Sequence, residues 1–148
     1  MSSLICNAGA SSDFCSTKKI LYMDKKKIFE LHNEHREWLN RLDFYKADIK
    51  FLAERVEEIS SKNTDREVAA MCDHYRNLLD IQLNEAQKLK HAIDRHEKLV
   101  EKEIEHNPVA VDHRSIDDHT GERADVETFE QLYSEQRKEL IRFFSKWM

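Results

Sequence analysis

Apolar residues recur every three or four positions along most of this chain, and that spacing predicts long helices rather than strands. From about Asp24 to Ser61 the series runs Ile28, Leu31, Trp38, Leu42, Tyr45, Ile49, Leu52, Val56 and Ile59. His35 fills the one strongly polar position in this heptad seam. A second stripe passes through Val68, Met71, Cys72, Tyr75, Leu78, Leu79, Leu83, Ala86, Leu89, Ile93, Val100 and Ile104. A third is clear from Val126 and continues through Phe129, Tyr133, Gln136, Leu140, Phe143 and Trp147.

The breaks between stripes carry helix-end chemistry. Asp24 is placed to cap the first helix, since its carboxylate accepts from free backbone amides. Ser60 to Asn63 form a short turn, and Thr64 with Glu67 has the capping-box spacing for a second helix. That helix stops near His106, because Pro108 disfavours a helical residue before it and donates no backbone hydrogen bond. Residues 107–114 make the next connection, and Ser115 with Asp118 marks a third start, with Gly121 a weak point in its first turns. Short turns fold each helix back on its predecessor. The expected fold is therefore all-α, an antiparallel up-down-up bundle of three long helices with coiled-coil-like seams, forming one domain over 24–148.

Composition agrees with this reading. The chain of 148 residues is 36% charged and 40% hydrophobic, with two glycines and one proline, too few for a turn-rich β architecture. Residues 1–23 differ in kind, being rich in Ser, Cys, Ala and Gly. They are expected to be a disordered N-terminal extension, with Met23 as the biological start.

Charge and cysteine content narrow the function classes. A net charge of −5 with both signs interspersed gives no electrostatic basis for nucleic-acid binding. The run Lys18, Lys19, Lys25, Lys26 and Lys27 reads as a solvated block, and Arg137, Lys138, Arg142 and Lys146 flank aromatics that belong to the seam. No apolar stretch reaches bilayer length, so no membrane role is expected. Three cysteines, Cys6, Cys15 and Cys72, cannot all pair within one chain and show no CxxC spacing, which fits a reducing cytoplasmic setting. Glycine-rich phosphate loops and nucleophile-elbow motifs are absent, and the expectation is a protein that is not an enzyme.

Two features of the bundle carry candidate function. Matching helix levels from each turn gathers seven of the eight histidines at the end nearest the 107–114 connection. His32, His35, His91, His96, Glu103 and His106 are the candidate metal ligands there, for iron, zinc or copper. Glu103 and His106 have the Glu-x-x-His spacing of bundle metal sites, but in a single copy, and His91 and His96 do not share a face. Neither a di-iron nor a hemerythrin-type pattern is met, so surface and register roles are the plainer reading of most of these histidines. At the opposite end, Phe44, Phe51, Ile81, Ile141 and Phe144 stand off the narrow seams. They form the candidate interface of a non-enzymatic interaction or scaffold protein that self-associates or binds another helical protein, with no cofactor. A metal-binding helical bundle is the alternative.

Overall fold

The computed structural model describes residues 12–106 and 114–148, and the side chains of 27–102, 104–106 and 119–148. Three helices account for nearly all of it: α1 (Ser12–Lys62), α2 (Arg66–His106) and α3 (Arg114–Trp147). They pack as the three-helix bundle anticipated from the stripes, with no strand among the described residues.

Cross-helix pairs give the directions. His32 meets Glu97, Asp43 meets Lys90 and Glu57 meets Arg76, so α2 descends as α1 rises. Glu34–His119, Tyr45–Glu130 and Asp48–Tyr133 are each separated by 85 residues, a constant offset that only parallel helices produce. The order is up, down, up.

The helix ends differ in detail from expectation. α1 begins at Ser12, twelve residues before Asp24, since neither Gly nor Pro interrupts that stretch. The expected disordered extension is thus helical over 12–23, while residues 1–11 lie outside the described residues. At the first reversal, the Asn63 backbone amide and side-chain amide both donate to the Ile59 carbonyl, at 3.1 and 2.8 Å. The cap of α2 is Asp65 and not Thr64: its Oδ1 accepts from the Glu67 backbone amide at 2.7 Å. A full carboxylate charge at the positive end of the helix dipole outcompetes a hydroxyl one residue earlier. α2 ends at His106, just ahead of Asn107 and Pro108. α3 starts at Arg114 and runs through Gly121 without a break.

The core is assembled from the inward stripes. Trp38, Leu42, Ile49, Leu52, Val56 and Ile59 of α1 pack against Val68, Cys72, Leu79, Ala86 and Ile93 of α2 and against Val126, Phe129, Tyr133, Leu140 and Phe143 of α3. Tyr45 links this core to α3 by edge-on contacts with Phe129 and Tyr133. Isolated helices of this composition are marginal in water, so burial of these stripes is what holds them. Each large residue so buried contributes about 1.5–3 kcal/mol.

Candidate metal centre

Three of the seam positions carry imidazole instead of a hydrocarbon. His35 stands three residues before Trp38, His96 three after Ile93, and His119 seven before Val126. Each is therefore on the inward stripe of its helix, and the apolar neighbours that anchor the stripe carry the imidazole inside with them. His35, His96 and His119 are 1%, 6% and 2% exposed. Glu122 follows His119 by three residues, which puts both on one face of α3.

One donor atom from each of His35, His96, His119 and Glu122 lies within 4.8 Å of all the others. The Nε2 of His35 is 3.1 Å from Nδ1 of His119 and 3.5 Å from Oε2 of Glu122. The same carboxylate oxygen is 2.7 Å from Nδ1 of His96. Behind the quartet, Glu34 accepts from His119 Nε2 at 2.7 Å and is gripped by both Nε and Nη2 of Arg123, at 2.8 and 2.7 Å. That carboxylate requires the hydrogen of a neutral His119 to sit on Nε2, leaving the Nδ1 lone pair aimed into the quartet. Trp38 stacks on the His119 ring at 4.9 Å and closes one side.

The electrostatics favour the deprotonated forms of two of the donors, His119 and Glu122. Burial lowers the His119 pKa below the ordinary imidazole range, against the opposing pull of Glu34, so the ring is neutral near neutral pH. For Glu122, burial acts to raise the pKa, but hydrogen bonds from His35 and His96 more than offset it and hold the carboxylate low. Glu34 is pulled down to about 2, chiefly by the Arg123 guanidinium, with burial opposing and His119 assisting. Metal binding needs such deprotonated ligands.

The donor set and its spacing fit a metal ion. Tetrahedral coordination with bonds of about 2.0–2.1 Å sets donors about 3.3–3.4 Å apart; three of the six donor pairs stand at 2.7, 3.1 and 3.5 Å, and all six lie within 4.8 Å. Comparison with protein families, curated proteins and solved structures returns no match for this chain. The chemistry of this centre therefore rests on its own geometry. Three imidazoles and a carboxylate suit zinc, copper, iron or nickel. A cleft of about 280 Å³ between α1 and α2, lined by Ile28, Leu31, Val100 and Ile104, has His35 in its wall.

Of the ligands expected from sequence, the structure brings together His35 and His96. His32 turns outward to Glu97, at 2.5 Å, and His91 and His106 are exposed. The Glu103 side chain lies outside the described residues. His119 and Glu122 complete the set and were not among the candidates. Matching helix levels from the turns sets Glu127 and Glu130 at the height of His35, with Glu122 roughly one turn away and His119 in the connection at the same end, whereas the neighbours that His35 meets are His119 and Glu122. Side-chain packing, and not the turn, sets the stagger between the helices. Two sequence signals pointed to the missing pair: the His-x-x-Glu spacing itself, and the heptad step from His119 to Val126.

The expected apolar interface is also redrawn. Phe144 is 7% exposed and belongs to the core beside Phe143, so it leaves that face. Phe44 and Phe51 are 66% and 53% exposed, and Ile81 and Ile141 are exposed as well. They do not share a side. Phe44 and Phe51 flank Asp48, which pairs with Arg137 of α3, and Ile141 follows Arg137 by one turn. Ile81 instead continues the α2 row of Glu85, Lys88 and Ala92, which lines the groove between α2 and α3.

Proposed function

We propose that this protein is a metal-binding helical bundle that holds one divalent transition-metal ion, zinc above the others, between His35, His96, His119 and Glu122. The observation that carries this reading is the convergence of four buried or half-buried donor atoms, supplied by three separate helices, within 4.8 Å of one another. Four protein donors fill a tetrahedral shell and leave no position for substrate, which is the arrangement of a structural rather than a catalytic zinc ion. The ion would displace hydrogens shared within the quartet, and Glu34 would orient His119 from behind. Such a role suits a reducing, cytoplasmic setting, where Cys72 stays a buried free thiol.

Elemental analysis of untagged protein tests the proposal. Near-stoichiometric zinc, iron or copper is expected, lost in His35→Ala and in His96→Ala while circular dichroism still reports helix. Replacement by cobalt should give the intense visible absorption of a tetrahedral ion. Protein that carries no metal after anaerobic purification, and that takes up no zinc on titration, would overturn it.

A second reading, self-association as a helical scaffold with coiled-coil-like contacts, draws on the exposed Phe44, Phe51 and Ile141 along the α1–α3 side. Light scattering would find a dimer that Phe51→Glu dissociates. A wild-type monomer across micromolar concentrations rejects it.

A further inference from the structure

The quartet stands where the hydrophobic core ends. Among the described residues, the apolar cluster stops at Trp38 on α1, Ile93 on α2 and Val126 on α3. Val100 is buried farther out but stands outside that cluster. On α3, the described residues ahead of Val126 include a single buried side chain, that of His119. Besides the Trp38–His119 stack, polar contacts tie this stretch to the other helices: His119 to His35 and Glu34, Glu122 to His96 and His35, and Arg123 to Glu34. Val126, Phe129 and Tyr133, in contrast, bind the next turns of α3 through the core. The same helix is thus held by two different kinds of force along its length.

Resting on the metal reading above, we propose that the ion acts as a latch: its binding fixes residues 119–125 of α3 onto α1 and α2, and its removal releases them. The donors come from all three helices, so the complete site exists only when this stretch is docked. Binding that requires the docked form suppresses opening by the factor 1 + [L]/Kd. Release would uncover the Trp38 ring that now stacks on His119, together with the edge of the core behind it. The protein would then report metal supply by exposing or hiding one end of its bundle, with α1, α2 and the rest of α3 unchanged.

Hydrogen–deuterium exchange on the full chain, chelator-treated and then titrated with zinc alone, provides the test. At zinc 100 times above its Kd, exchange in 119–125 should slow by about 100-fold, while 133–147 changes little. His119→Phe keeps a ring against Trp38 and removes one ligand, so the bundle should fold and its exchange should lose most of its zinc dependence. Zinc uptake, measured in parallel by competition with a chromophoric chelator, separates the two ideas. If zinc binds but exchange in 119–125 stays as it was, or slows no more than the rest of the chain, the latch is wrong and the metal site stands. If zinc does not bind, both fall.

Discussion

Glu34 shows how one side chain outside the quartet can set its chemistry. It accepts from His119 Nε2 and is held in turn by the forked guanidinium of Arg123. A carboxylate in this position fixes the ring orientation and strengthens the opposite nitrogen as a donor, and its loss typically lowers metal affinity by about 10–100-fold. Glu34→Gln should therefore weaken zinc binding by that factor in a competition titration, with helix content unchanged. An affinity equal to wild type would mean that Glu34 is only a surface partner of Arg123. At this scale the sequence was partly legible. His35 stood out as the polar member of an apolar seam, and His96 shared that character. His119 did not, because it stands a full heptad ahead of Val126, the first clear member of the third seam, and close to Gly121 near the start of its helix. Phe144 misled for a related reason. Phe143 and Phe144 are adjacent, and a narrow stripe admits one of them, but the end of α3 is buried broadly enough to take both.

The elements themselves were read with more success than their ends. All three stripes became helices, and the Asn107–Pro108 stop of α2 was legible from backbone chemistry alone. The start of α2 offers a discriminating experiment. Asp65 caps it through the Glu67 amide, while Thr64 is exposed and outside the helix. Asp65→Ala should cost about 0.5–2 kcal/mol in denaturant unfolding, and Thr64→Ala distinctly less. The reverse order would restore the capping box read from the Thr64–Glu67 spacing. Both residues are plausible caps by composition, and the choice falls to whichever one the chain reversal places beside the free amides. α1 illustrates the opposite error: its seam fades before Ile28, yet the helix continues back to Ser12 because nothing there breaks it.

Across the whole molecule, ion pairs with half-buried carboxylates join α1 to α3 away from the candidate metal centre. Asp48 accepts from Arg137 at 2.8 Å and from the Tyr133 hydroxyl. Burial would raise the Asp48 pKa, but those hydrogen bonds prevail and hold it below the ordinary 3.8. A carboxyl group with a depressed folded-state pKa contributes stability that is complete above its unfolded value and lost as pH falls through the folded one. Chelator-treated wild type should therefore lose stability more steeply than Asp48→Asn as pH drops below about 3.8, by acid titration followed with circular dichroism. Parallel slopes would show that the pair contributes nothing net to folding. At this scale too, Phe44, Phe51, Ile81 and Ile141 stay exposed while Phe144 joins the core, and helical spacing sets Ile81 apart from the other three.

Sequence by itself determined the three helices, their alternating directions and which side of each faces inward, because those properties follow from side-chain periodicity and from local chemistry at the turns. It also marked one end as histidine-rich. Tertiary structure alone decided which histidines meet. Stagger between long helices is set by the packing of many side chains, and a shift of one turn, about 5.4 Å, exchanges one set of neighbours for another. That is why His35 and His96 lie beside His119 and Glu122, and not beside the glutamates found by counting from the turns.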